Sequence, residues 1–257
     1  MVEPETDVLL HMRDISKHFT GVQALDKVSL VLRRSEVLGL IGENGAGKST
    51  LMKVLMGIEQ PDGGEILLRG RKVTIPDAKA AYCLGIGMVF QEQALLPNMS
   101  VYENIFMGHE DEFIRFGWLD RRRMIKEAEA VLQDAHVDVS PMCLLADLTY
   151  AQRQMIEIAR SFYLTRKFDD QIIIILDEPT TVLSEKEIGQ LFKTIEKLND
   201  RASFILIPHD IEEVKRFCSR IVIMKDGVNT GELDSAGADV SRIQELMVGR
   251  EFASNYY

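Results

Sequence analysis

The chain has 257 residues, 46% hydrophobic and 27% charged, with a formal net charge of −10, which suits one large domain or two lobes of one. The acidic balance argues against duplex nucleic acid, whose binders carry a basic face, and against direct adsorption to anionic lipid. Without a charged-then-apolar leader or the roughly 18 apolar residues in a row that cross a bilayer, the sequence predicts a soluble, cytosolic chain.

In chain order, Leu9 to Val31 mixes polar and apolar residues in short turns, with strand character near Val28 to Leu32. Val37 to Ile41 is a short continuous apolar run, as expected of a buried strand. A glycine-rich turn follows, then a helical stretch from Ser49 to Met56. Gly63 to Val73 reads as strands around a turn at Arg69 to Arg71, and Ile86 to Phe90 as a strand ending at Gln91. From Asn98 to Ala135 the pattern is helical. In LTYAQRQMIEIARSF, Met155, Ile158, Ala159 and Phe162 form the apolar stripe of a further helix, opened by Thr149-x-x-Gln152 as a capping box. Ile172 to Leu176, Ser203 to Ile207 and Arg220 to Met224 read as buried strands. Strands alternating with helices predict a parallel sheet covered on both faces, with the helical stretch between Asn98 and Phe168 inserted between strands. Cys83, Cys143 and Cys218 stand apart, without CxxC pairing, and read as small buried hydrophobes in a reducing compartment.

Gly42-Glu-Asn-Gly-Ala-Gly47-Lys48-Ser49 fits G-x-x-x-x-G-K-[ST] between an expected strand and an expected helix, the context that makes this pattern a phosphate loop. Asn44, Gly45, Ala46, Gly47 and Thr50 share that turn. Its glycines let the backbone wrap a phosphate, and its amides and the helix start present positive charge to an anion. Lys48 is expected to reach the β- and γ-phosphates, and the Ser49 hydroxyl to ligate Mg2+. Ile172 to Leu176 delivers Asp177 and Glu178 to the carboxyl end of a strand, the edge where open α/β sheets bind ligands. Asp177 is expected to hold the metal and Glu178 to take a proton from an attacking water.

Three further residues are weaker alone. Gln91 can bring an amide to the metal or the water, although a glutamine after a strand is ordinarily a surface residue. His209 can donate a hydrogen bond to charge developing on a phosphate, although a lone histidine is more often structural. Phe19, placed before the first strand pair, is as readily a core residue as a platform for adenine.

The order of these elements, from about Leu9 to Arg250, resembles the nucleotide-binding subunits of ABC transporters. The resemblance implies an α/β fold: a P-loop NTPase core with a mostly parallel sheet, an antiparallel β subdomain near the N-terminus and an inserted α-helical subdomain. Residues 1–92 and 169–257 would form the core with its β subdomain, and about 93–168 the helical insert. It also implies an adenine platform (Phe19), a Walker A loop (Gly42 to Thr50), a glutamine loop (Gln91), a signature helix from Leu148, a Walker B strand ending at Asp177 with Glu178 after it, and a switch histidine (His209). Such subunits pair head to tail around two ATP molecules, each between one Walker A loop and the other subunit's signature helix. The usual LSGGQ is replaced here by Leu148-Thr149-Tyr150-Ala151-Gln152. Thr149, Gln152 and the first-turn amides keep the capacity to meet a phosphate, while Tyr150 and Ala151 add bulk.

L-[ST]-x-x-Q-x-Q-[MV]-x-E-I-A, LLPNMSVYENIFMG, LMVGRE and the opening ISKHFTGVQALDKVSL resemble the monosaccharide-importer branch. So does Ser184, where an aspartate is usual after Walker B. Members of that branch usually carry two such halves in tandem, and this chain resembles the first. The implied partners are transmembrane permease subunits, a sugar-binding protein and a second ATPase half, either a homodimer mate or a tandem half, at the cytoplasmic face of the membrane. No nucleic acid is implied. The competing readings are a soluble ABC-type ATPase without a membrane partner, an ABC ATPase for another substrate, a P-loop GTPase or small-molecule kinase, and a binding-only regulator. No N-K-x-D guanine motif appears.

Overall fold

The computed structural model describes residues 7–90, 95–165, 168 and 170–248. The chain opens with two long antiparallel strands, β1 (Val8–Phe19) and β2 (Val22–Arg33). The turny reading of this stretch is corrected here. Register shifts, such as those between Met12 and Ile15 and between Ile15 and Lys17, break the strict alternation by which a strand is read. β3 (Val37–Ile41) runs into the glycine turn and α1 (Lys48–Leu55). β4 (Gly63–Leu68) and β5 (Arg71–Val73) complete a four-stranded sheet of order β2-β1-β4-β5. α2 (Ala78–Cys83) and β6 (Ile86–Val89) follow. Cys218 is buried as expected and Cys143 half-buried, but Cys83, the last residue of α2, faces solvent.

The stretch from Asn98 to Ala135 is less helical than its pattern predicts. α3 (Val101–Phe106) starts on a Ser100/Glu103 capping box and stops where Met107 turns extended. A 3-10 turn at Glu110–Phe113 leads into a two-strand hairpin, β7 (Ile114–Arg115) and β8 (Trp118–Leu119). Phe116 and Gly117 both take positive φ, 51° and 81°, which a two-residue turn matching the strand twist requires. α4 (Arg121–Asp134) and α5 (Tyr150–Thr165) complete the insert.

β9 (Ile172–Asp177) leads to α6 (Glu185–Leu198), β10 (Ala202–Ile207), α7 (Ile211–Phe217), β11 (Arg220–Lys225), β12 (Val228–Asp234) and α8 (Val240–Val248). The main sheet has the order β12-β11-β3-β10-β9-β6. It is parallel except for β12, which pairs antiparallel with β11. β6 and β9 are neighbours although the whole insert separates them in sequence.

Three apolar clusters among the described residues hold this arrangement. One lies between the N-terminal sheet, α1 and one face of the main sheet. A second lies on the other face, against α6 and α7. The third belongs to the insert. α5 joins the second and third: Ile158 and Phe162 enter one, Ile156, Ala159 and Tyr163 the other. Its apolar surface is therefore wider than the single stripe read from the sequence. An ionic tie fastens the N-terminal sheet to the entry of β9. Arg34 donates twice to Asp170, at 2.7 and 2.8 Å, and Arg69 Nε donates to the same carboxylate at 3.0 Å.

Candidate functional site

At the carboxyl ends of β3 and β9 lies a cleft of about 410 Å³. It is lined by Asn44, Gly45, Ala46, Gly47, Lys48, Ser49 and Thr50, together with Asp177 and Glu178. The buried run of β3 ends in a turn whose last residue, Gly47, caps α1 with φ 98°. A side chain at that φ would be strained, so the glycine permits the helix to begin where its amides face the cleft.

The Lys48 ammonium donates to the carbonyls of Gly42 at 2.7 Å and Glu43 at 3.0 Å. Burial pulls its pKa below the usual lysine value, while the charges of Glu178 and Asp177 pull it back up. Burial raises the Asp177 carboxyl above the ordinary carboxylate range. The neighbouring charge of Glu178 adds to the rise, and Lys48 opposes it. Two acids and one ammonium thus share one half-buried pocket, an arrangement suited to a charged ligand that brings its own counter-ions.

Register explains the acids' position. β9 and β10 run parallel with Asp177 opposite Ile207, and the Glu178 amide donates to the Ile207 carbonyl at 2.8 Å. Glu178 has φ 47°, a left-handed conformation uncommon for glutamate and of a kind that recurs at functional sites. Ile207 also lines the cleft, and His209 follows it by two residues, exposed at the same edge of the sheet.

For a divalent metal, the cleft offers the Ser49 hydroxyl and the Asp177 carboxylate, both hard oxygen donors. That set fits Mg2+, which takes one or two protein oxygens and fills the rest of its shell with phosphate and water. Gln91 lies outside the described residues.

Phe19 is the last residue of β1, paired with Val22 across the hairpin turn, and is 42% exposed. This corrects both its placement before the first strand pair and its reading as core. Val22, Gln23 and Ala24 line the cleft, so the hairpin end bearing Phe19 borders it. Lys17 Nζ lies 5.2 Å from the ring centroid.

Thr149 and Gln152 are elsewhere. They line a separate cleft with Ala151 and Ser184, between α5 and α6. The capping box read from the sequence is formed there. Gln152 N–H donates to Thr149 Oγ1 at 3.2 Å, and Thr149 N–H donates to Gln152 Oε1 at 2.9 Å. Ser184 likewise caps α6, in a reciprocal pair with Glu187.

Sequence reasoning missed Val22, Gln23, Ala24 and Asp226, all of which line this cleft. Asp226 sits in the β11–β12 turn, and the Asp-Gly dipeptide at 226–227 after an apolar run is a hairpin signal that could have located it. The three hairpin residues carry no local signal.

The sequence profile described as ABC transporter matches residues 25–181. A ribose import ATP-binding protein of Rubrobacter xylanophilus is 42% identical over 249 residues, 96% of this chain and 48% of the relative. A putative ribose/galactose/methyl galactoside import ATP-binding protein of Geobacillus kaustophilus is 39% identical over 246 residues, 95% of this chain and 48% of the relative. The chain therefore spans about half the length of the relatives it matches. A solved ATP-binding cassette, dimeric and bound to ADP and Pi, superposes with a TM-score of 0.70 at 25% identity, covering 90% of this chain and 100% of that one.

Proposed function

The chain belongs to the ABC transporter family, and from that premise we propose that it is the Mg-dependent ATP-hydrolysing part of an importer that powers uptake of a monosaccharide. It works at the cytoplasmic face of the membrane, on permease subunits fed by a sugar-binding protein. The observation that carries this reading is the cleft that gathers the Walker A loop, Lys48, Ser49, Asp177 and Glu178. The names of the relatives support a ribose- or galactose-like sugar.

The loop amides from Asn44 to Thr50 and the Lys48 ammonium bind the phosphates. Ser49 and Asp177 would hold Mg2+, which neutralises phosphate charge when bound with ATP; Gln91 is assigned to the same metal or to the attacking water. Glu178 takes a proton from that water as its oxygen bonds to the γ-phosphorus and the bond to ADP breaks. His209 donates a hydrogen bond to the charge that develops on the γ-phosphate. Phe19, exposed on the bordering hairpin, stacks on adenine.

Thr149 and Gln152 line no part of that cleft, so their phosphate contact is made to ATP held by a second ATPase half. Support for a further partner lies on the insert. Its β7–β8 hairpin exposes Phe116 at 90% and Trp118 at 81%, with Ile114 and Leu119 also open, an apolar cluster of the kind that marks interaction surfaces. Phosphate release by the purified chain, with uptake of labelled ribose and galactose in cells carrying wild type or Glu178→Gln, tests the reading. Uptake lost with the variant supports it. Full uptake with the variant, or no ATP hydrolysis by wild type with its partners, contradicts it.

A further inference from the structure

The phosphate-binding loop does not rest on β3 and α1 alone. Three points along it are met by segments remote in sequence. At its entry, a Cβ built on Gly42 would lie 2.2 Å from the Met224 carbonyl oxygen of β11. In its middle, the Ala46 carbonyl accepts from Gly227 N–H at 3.2 Å. At its end, a Cβ on Gly47 would lie 2.7 Å from Ala24 O and 2.9 Å from Leu25 Cδ2 of β2. Gly227 itself is wedged. Its φ is 79°, its carbonyl accepts from Asp26 N–H at 2.8 Å, and a Cβ there would stand 2.8 Å from Ala24 O. β2, the β11–β12 turn and the loop thus interlock largely at backbone level, through the carbonyls of Met224 and Ala24 and the Gly227–Ala46 hydrogen bond.

The turn is anchored in its own right. Lys225 Nζ donates to the carbonyl of Val248, the last residue of α8. A Cβ on Gly231 of β12 would meet Leu246 Cδ1 of the same helix at 2.7 Å. Asp226, between Lys225 and Gly227, lines the cleft.

Amide donors bind an anion well only when they are already aimed at it, because aiming them during binding subtracts from affinity. We propose that Gly227 is a positioning residue for nucleotide binding: the β11–β12 turn is the backstop that holds the phosphate loop in its donor-presenting shape, and Lys225 ties that backstop to α8, so nucleotide affinity follows how α8 is seated. This inference rests on the reading of the cleft as an ATP site.

The test is calorimetric titration of the full chain with Mg-ATP, reading Kd and stoichiometry separately, for wild type, Gly227→Ala, Lys225→Met and Gly70→Ala. Gly70, in the β4–β5 turn, has a similar φ of 74°, but a Cβ there meets nothing within 4 Å. It imposes the same backbone strain far from the loop. The expected result is a Kd raised tenfold or more for Gly227→Ala and about threefold for Lys225→Met, at unchanged stoichiometry, with Gly70→Ala keeping the wild-type Kd. Where Gly227→Ala does not fold, Lys225→Met decides. Wild-type Kd in both Gly227→Ala and Lys225→Met, or a loss of stoichiometry alone, overturns the inference. Failure of wild type to bind Mg-ATP overturns the ATP reading and the inference with it.

Discussion

The cleft at the end of β9 and the start of α5 are both places where backbone amides could meet a phosphate, and they are prepared differently. In the first, glycines open the loop, a lysine stands in it, and two acids wait beside it. In the second, the Thr149 and Gln152 amides are already engaged by each other's side chains. The first holds its lysine, its acids and its loop amides outside any such helix cap. The second is a stable helix start that must also offer its hydroxyl and remaining donors outward. A helix cap and a phosphate contact use the same groups, so at Thr149 and Gln152 the two roles compete.

Breaking the first region should have the largest effect. Glu178→Gln should lower turnover by about 10²–10⁴-fold while leaving Mg-ATP binding intact, as loss of a general base does; phosphate release and titration read the two quantities separately. Lys48→Ala should weaken Mg-ATP binding by roughly 30-fold, the scale of about 2 kcal/mol for a hydrogen bond to a charged group. Equilibrium titration checks it.

The second region is sharpened by Gln152→Glu. A glutamate at this position keeps the capping box, so the melting temperature should hold. The added negative charge faces a phosphate in the proposed dimer, so turnover should fall about tenfold, with ATP affinity of the isolated chain unchanged. Equal turnover would leave Thr149 and Gln152 as a cap and nothing more.

The smallest effect belongs to a site remote from both. Arg34 chiefly, then the Gln171 amide and Arg69, hold the Asp170 carboxyl well below the ordinary value of 3.8. A depressed carboxylate stabilises the fold above its unfolded pKa and loses that contribution as pH falls through the folded one. Asp170→Asn should therefore cost a little melting temperature at pH 7. The gap to wild type should close as pH drops below about 4.

The parts legible in the sequence were those whose signal is contiguous. Gly42 to Thr50 and Asp177-Glu178 each sit within ten residues, and the runs at β3, β9, β10 and β11 are buried on both faces, so they read as unbroken apolar segments. β1 and β2 were obscured by their bulges, and β12 by its exposed, polar make-up. The β7–β8 hairpin is too short for periodicity to register. α6 carries a start signal of its own, since Ser184-x-x-Glu187 is a capping box of the same form as that at Thr149. The contact between Gly227 and Ala46 could not be read, because nothing local in either residue points to the other.

Each working site is proposed to be shared between two ATPase halves. That sharing is tested most directly by disulfide cross-linking in the Glu178→Gln background, with Cys83, Cys143 and Cys218 replaced by serine and cysteines placed at Asn44 and Thr149. The shared site predicts an intermolecular disulfide dimer that forms with Mg-ATP and not without it. Absence of that dimer at every protein concentration, with Mg-ATP bound, would contradict it.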